Sequence, residues 1–382
     1  MPRLNPIFTN LRAYPIAELN RLKKEVVDSG IRLFDFGTGD PQEPTAQFIQ
    51  DALKSSLKPR CGYPGVAGSA LVRNAIARYL KRRFGVTVDP ETQILPTAGS
   101  KEAVFHTPMM VIDPNAEDRL VVFPDPGYPA YQRGALFAGG EPCPVALEGD
   151  HVFRPWKLPS DVLRRTRMMW INSPHNPSGV ITSLSDLQRT ADLCREYDIL
   201  CIADETYADV YVEERPHSLL ECGVEGMLVL HSLSKRSGMT GYRSGFLAGD
   251  PELMGLLRTF RSNPGLVPQD FVNAAAAAAW SDDEHVAQRR AIFNEKRDLF
   301  LAFFNEMGIE VVGSAATIYL WIRVPDGHTE ETWSSMLLQS GIVVSPGPMF
   351  GVSGAGVGFV RLALVPPMSV CREAIALWRT LL

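Results

Sequence analysis

A nucleophilic amine and a cradle for phosphate are brought together by one stretch of the chain, Ser232-Leu-Ser234-Lys235-Arg-Ser-Gly238-Met-Thr-Gly241-Tyr-Arg243-Ser-Gly245. An isolated lysine after a strand is ordinarily a solvated surface charge. Lys235 instead stands among three glycines, four serines and, eight residues on, Arg243. Such a loop offers hydroxyls, backbone amides and a guanidinium to one dianionic phosphate. A free lysine has a pKa of roughly 10.4 and is a poor nucleophile when protonated, so cationic neighbours and desolvation are the usual ways to release its amine.

Further polar clusters share this pattern of chemistry placed next to apolar runs. Asn172-Ser-Pro-His-Asn176-Pro177-Ser-Gly179 carries two asparagines, although Asn176 also suits the start of a turn before Pro177. Asp204-Glu205-Thr-Tyr207 offers an acid and a phenol, with helix capping as the plainer role for Asp204. Thr97-Ala-Gly99-Ser100-Lys101-Glu-Ala103 follows Ile94-Leu95 and opens a helix, so its backbone N–H groups can face an anion. Arg361, in Gly358-Phe-Val-Arg361-Leu-Ala363, lies within an otherwise apolar strand, where a guanidinium is costly without an anionic partner. A substrate carboxylate would serve, as would an internal salt bridge. Phe36-Gly37-Thr-Gly39-Asp40-Pro41 lacks the third glycine of a dinucleotide loop, and no G-x-x-x-x-G-K-[ST] occurs.

Parallel strands are the elements that would align these clusters. Apolar runs at Met168–Asn172, Ile199–Ala203 and Met227–Ser232 recur at roughly thirty residues, the size of a βαβ unit. Leu120–Phe123 precedes them and Gly245–Ala248 follows. Leu187, Ala191 and Cys194 make one apolar helix face within Asp186–Tyr197, as a crossover helix requires. Ligands of parallel sheets bind beyond the carboxyl ends of the strands, which is where Asn172, Asp204 and Ser232 fall. Ser69 is placed to cap a helix with the stripe Val72, Ile76, Leu80 and Phe84, stopped by Gly85. The alanine run Ala274–Ala279 predicts a close-packed helix, and Asp282–Met307 a long charged one leading into a second, smaller region.

Taken together, the loop S-x-S-K-x-x-G-x-x-G-x-R-x-G, the asparagine-proline segment and the D-E-x-Y segment, in this order and spacing, resemble the fold-type I pyridoxal-phosphate enzymes of the aminotransferase class I/II family over nearly the whole chain. Ser173, where many members have proline, is the one departure. The resemblance implies an α/β fold with a large domain (residues 45–275) built on a mostly parallel seven-stranded sheet between helices. Residues 1–44 and 276–382 would form a smaller α+β domain. It implies that Lys235 holds pyridoxal 5′-phosphate as an imine and later moves a proton between the substrate α-carbon and C4′. Asp204 would face the pyridine nitrogen and keep it protonated. Tyr207 and Asn176 would bond the phenolic oxygen, and Tyr128 would stack on the ring with Tyr131 packed behind it. Ser100, Lys101, Ser232, Ser234 and Arg243 would hold the phosphate. Tyr63 would reach the phosphate of a neighbouring subunit, making the active unit a homodimer. Arg361 would grip the α-carboxylate through two parallel hydrogen bonds, beside the backbone of Gly39.

The activity so implied is ping-pong transamination between an amino acid and a 2-oxo acid. The Ser-Leu-Ser-Lys-Arg-Ser run and the chain length are most similar to bacterial N-succinyldiaminopimelate aminotransferases of lysine biosynthesis. LL-diaminopimelate, alanine and aspartate aminotransferases share every residue named, and a carbon–sulfur β-lyase runs on the same scaffold. A non-catalytic sensing domain is disfavoured by the intact Lys235 and by the lack of a helix-turn-helix extension before Asn10.

Composition narrows the class without naming the reaction. At 382 residues, 45% apolar and 21% charged, the chain can bury more than one core. A net charge of −5 with no dense basic run argues against nucleic acid, and Lys81-Arg82-Arg83 reads as a solvated helix end. There is no apolar stretch long enough to span a membrane and no apolar leader within Met1–Asn10, so a cytoplasmic enzyme is expected. Six scattered cysteines without C-x-x-C predict reduced, mostly buried thiols, and the seven histidines show no zinc spacing, so no metal is expected.

Overall fold

The computed structural model describes residue 2, residues 4–10 and residues 15–381. Met1 and Arg3, part of the segment searched for a leader, lie outside the described residues. The strands in chain order are β1 (Phe34–Asp35), β2 (Ile94–Thr97), β3 (Leu120–Asp125), β4 (Glu141–Ala146), β5 (Thr166–Asn172), β6 (Leu200–Asp204), β7 (Met227–Ser232) and β8 (Gly245–Gly249). They continue with β9 (Val311–Val312), β10 (Tyr319–Arg323), β11 (Ile342–Val343), β12 (Ser345–Pro346) and β13 (Phe359–Ala363).

Seven strands form one sheet in the order β2-β8-β7-β6-β5-β3-β4, and β8 alone runs against its neighbours. The central strands are buried on both faces, as continuous β-branched and apolar runs require of a sheet covered by helices. Asn172 is in register with Asp204, and Asp204 with Leu230, so the polar tips of β5, β6 and β7 end side by side. No strand signal marks β4 in the sequence. Pro142 and Pro144 mask it, and they are tolerated because β4 is an edge strand.

The helices follow the expected signals. Ser69 accepts from Val72 N–H at the start of helix Ala70–Phe84, and Gly85 ends it in the left-handed conformation with φ 74°. The crossover helix begins at Leu184 under a Ser183 cap and buries Leu187, Ala191 and Cys194. The alanine run lies in helix Asp270–Ser281, packed against helices Gln47–Ser55 and Ala70–Phe84, where small side chains permit close approach. Arg82 and Arg83 are not simply solvated. Arg82 pairs with Asp283, and Arg83 Nε bonds the buried Asp209 at 3.0 Å because the helix end abuts the turn after β6.

The four-stranded sheet β12-β13-β10-β9 has its own core, in which Phe36, Phe300, Phe304, Trp333 and Trp378 are buried. Helix Glu284–Glu306 supplies three phenylalanines to it, Phe300, Phe303 and Phe304. Among the described residues no helix is long and apolar enough to cross a membrane.

Candidate active site

Lys235 is presented by a short helix, Leu233–Arg236, whose start is fixed when the Ser232 hydroxyl accepts the Ser234 N–H at 3.1 Å. The next residue locks that helix in place. Arg236 Nε bonds Asp209 at 2.8 Å, and Asp209 also accepts from Arg83 and from the Tyr79 hydroxyl. Lys235 Nζ donates to the Gly39 carbonyl. Burial lowers the Lys235 pKa, with Arg361 and Arg243 acting in the same direction against Tyr319 and Asp40. The means of freeing an amine inferred from the loop are therefore present in the fold.

Asp204, at the tip of β6, is buried and has no cationic partner among the described residues. Thr206 donates to Oδ1 through both its hydroxyl (2.7 Å) and its N–H (3.2 Å), and the Tyr131 hydroxyl donates to Oδ2 at 2.9 Å. Burial nevertheless raises the Asp204 pKa, because the hydrogen bonds only partly replace lost hydration. Tyr131 packs edge-on to Tyr128, with ring centroids 5.7 Å apart, and stacks on Trp170, but its hydroxyl also serves Asp204.

The loop after β5 is organised by its own amides. Asn172 accepts from Asn176 N–H at 2.8 Å and donates to the Asp204 carbonyl at 2.9 Å. His175 bridges the Ser178 hydroxyl and the Pro126 carbonyl, and burial pushes its pKa down to about 3, so it is neutral there. Asn176 Oδ1 in turn accepts Arg361 Nη1 at 3.0 Å.

Arg361 Nη2 bonds the Gly37 carbonyl at 3.1 Å, while its Nε is buried without a partner. The guanidinium lies 4.0 Å from the Tyr319 ring centroid and 4.2 Å from that of Phe350. No described carboxylate pairs with it, which removes the internal salt bridge left open by the sequence. A Cβ on Gly39 would run into the Tyr319 hydroxyl, so only glycine lets that backbone reach the site. Tyr207 donates to the Tyr319 hydroxyl at 3.0 Å. Burial holds Tyr207 well above the ordinary phenol range; it would also raise Tyr319, but Arg361, Lys235 and the Tyr207 bond bring Tyr319 below its usual value.

One cavity of about 290 Å³ joins these groups. Lys235, Asp204, Tyr207, Asn176, Tyr128, Ser100, Lys101, Ser232, Ser234, Arg243, Gly39 and Arg361 all line it. Tyr63 does not; it stands fully exposed, outside the cavity of its own chain. Thr206, Tyr319 and Phe350 line the cavity too and were not singled out from the sequence. Thr206 had a signal, since Asp-x-Thr is a common side-chain-to-backbone turn. Tyr319 had a weaker one, a phenol within the apolar run Ile318-Tyr-Leu-Trp-Ile322.

Residues 31–376 match the family model for aminotransferase class I and II. The chain belongs to this family. As a class I and II aminotransferase it is 35% identical to an LL-diaminopimelate aminotransferase of Aquifex aeolicus (strain VF5), over 95% of each chain. It is likewise 35% identical to one of Desulforudis audaxviator (strain MP104C), over 94% of each. Among solved structures, an aminotransferase from Neisseria meningitidis Z2491 superposes with a TM-score of 0.90 at 31% identity, covering 99% of this chain and 100% of that one. Aminotransferases of this family work with pyridoxal 5′-phosphate, and the cavity of this one fits the group. Hydroxyls and cations (Ser100, Ser232, Ser234, Lys101 and Arg243) suit a phosphate. The approach is close, since a Cβ on Gly99, at φ 82°, would strike the Arg243 guanidinium. Asp204, a buried carboxylate with no salt-bridge partner among the described residues, suits a protonated ring nitrogen.

Proposed function

We propose that this aminotransferase moves the amine of LL-diaminopimelate to a 2-oxo acid such as 2-oxoglutarate in a ping-pong cycle. Arg361 carries the reading, as a buried cation whose Nε has no hydrogen-bond partner and which pairs with no carboxylate among the described residues. An amino-acid carboxylate supplies the missing charge through a bidentate, charge-assisted contact. The names of the two curated relatives favour the free diamino acid over its N-succinyl derivative, and the β-lyase alternative has no observation in its favour.

When bound, pyridoxal phosphate withdraws electrons from the carbon that bears the amine, making its α-proton removable. Lys235, buried and with a lowered pKa, then takes that proton on Nζ and returns it on the other side of the transfer. Asp204, steadied by Thr206 and Tyr131, would keep a proton on the pyridine nitrogen of the bound group. The Asn176 amide, and the Tyr207 hydroxyl once turned from Tyr319, would donate to the phenolic oxygen, and Tyr128 would cover the ring. Ser100, Lys101, Ser232, Ser234 and Arg243 would hold the phosphate, and Gly39 would lie against the carboxylate. Exclusion of water from the cavity strengthens each of these contacts.

The test is a half-reaction panel. Free LL-diaminopimelate, its N-succinyl form, aspartate, alanine and cystathionine are mixed singly with loaded enzyme, and conversion to the aminated cofactor is read by absorbance. Fastest conversion is expected with LL-diaminopimelate. Faster conversion with the succinylated form would restore the narrower sequence expectation, and pyruvate release from cystathionine without an acceptor would favour the lyase.

We also infer a homodimer in which Tyr63 reaches the neighbouring subunit's phosphate. Its full exposure, next to a chain segment with exposed Leu57 and Leu71, supports a covered position in the assembly. Sedimentation should give a dimer, and Tyr63→Phe should weaken cofactor retention by roughly tenfold or more, the worth of one hydrogen bond to a charged group. A monomer with full activity would refute this.

A further inference from the structure

Asp125 ends β3 three residues before Tyr128, yet its carboxylate faces away from the cofactor cavity, toward the sheet that carries Arg361. It is buried, and no salt bridge involves it among the described residues. Its oxygens are taken up by a single turn of the other sheet. Oδ1 accepts Val352 N–H at 2.9 Å, and Oδ2 accepts Ser353 N–H at 3.1 Å and the Ser353 hydroxyl at 2.5 Å. Two residues along, Gly127 N–H donates to the Phe350 carbonyl at 2.8 Å. Four hydrogen bonds therefore fasten the tip of β3 to residues 350–353.

That turn bears directly on substrate binding. Phe350 closes a short helical turn, Gly347–Phe350, lines the active cavity and stacks on the Arg361 guanidinium. On the far side of the fastening a second cavity, about 370 Å³, is lined by Asp125, His151, Arg323 and Ser353. The segment beyond holds Gly354, Gly356 and Gly358, all at positive φ. The carboxylate of Asp125 thus ties the 350–353 turn to the strand end beside the arginine pocket.

We propose that Asp125 is a positioning residue that latches the 350–353 turn onto the large sheet, so that Phe350 closes over Arg361 and keeps water from it. The inference rests on the carboxylate role proposed above for Arg361. A desolvated guanidinium binds a carboxylate more strongly than a hydrated one, so a loosened latch weakens carboxylate binding while leaving the phosphate and ring contacts in place.

Succinate is the probe, with its dissociation constant measured calorimetrically on loaded enzyme and kcat and KM measured in parallel. Asp125→Ala is expected to weaken succinate binding and raise KM by roughly tenfold, the scale of one charge-assisted hydrogen bond, with a smaller change in kcat and unchanged cofactor retention. Asp125→Asn, which keeps an acceptor for Val352, should fall between wild type and alanine. Ser353→Ala, which loses only the hydroxyl bond, should shift binding about threefold in the same direction. Should Asp125→Ala fail to fold, the asparagine and Ser353 variants decide. Unchanged succinate affinity in the folded variants overturns the latch, as does a fall in kcat and cofactor retention with KM unmoved. Arg361→Ala separates the two levels. If it abolishes succinate binding while the Asp125 and Ser353 variants do not disturb it, only the latch fails; if it leaves binding intact, the carboxylate reading fails with it.

Discussion

Lys235→Ala is expected to lower turnover by roughly 10⁴-fold or more, the combined scale of losing a nucleophile and a general base. Borohydride should no longer fix the cofactor to the protein, while the phosphate donors Ser100, Ser232, Ser234 and Arg243 should still retain it. Lys235→Arg should be nearly as inert, because a guanidinium keeps the charge but does not give up its proton. The pH dependence has a definite sign. Burial lowers the Lys235 pKa, so the free amine persists below the ordinary lysine range and activity falls as pH drops through the lowered value. The same lowering means that the fold disfavours the protonated lysine at every pH below the unfolded value. Removing the amine should therefore leave the apoprotein at least as heat-stable as wild type at neutral pH, despite the lost bond to the Gly39 carbonyl. A variant that unfolds, or one that still turns over at a tenth of the wild-type rate, would count against Lys235 as the catalytic amine.

What could be read from the residues divides along chain distance. Lys235, Asp204, Asn176 and the Gly99 loop are each announced by neighbours within a few positions, because a strand tip and the turn after it are local structures. Arg361 announced itself by a charge in an apolar strand. Tyr319, Tyr131 and Phe350 gave little warning. Each is an aromatic in an apolar setting, where core packing is the ordinary fate, and what they do is settled by contacts across the fold. Tyr319 meets Tyr207 from another sheet, Tyr131 meets Asp204 73 positions away, and Phe350 is held by Gly127. Arg83 was misjudged for the same reason, since its partner Asp209 is 126 positions on. Tyr63 is the converse case: the sequence marked it by its family motif, and a single chain leaves it exposed.

Asp204→Asn is expected to separate stability from catalysis. In the folded apoprotein burial raises the Asp204 pKa above its unfolded value. A raised carboxyl favours the fold fully below the unfolded value, and that contribution is lost as pH rises through the folded value. Above that folded value the wild-type apoprotein bears a buried charge with no salt-bridge partner among the described residues. Asparagine fits the same space, keeps an acceptor for Thr206, and can donate to the Tyr131 oxygen once that hydroxyl turns. The variant apoprotein should melt at the same temperature as wild type or higher at pH 7, with the difference shrinking as pH falls toward 4. Turnover should nonetheless drop on the order of 10³-fold, because a neutral amide cannot hold a proton on the pyridine nitrogen and the electron-withdrawing form of the ring is lost. Lower melting at neutral pH would mean that Asp204 has a cationic partner within the protein, and near-normal turnover would mean that the ring nitrogen is served by another group. Unchanged or higher stability with little activity is the pattern of a charge kept for chemistry at a cost to the empty fold.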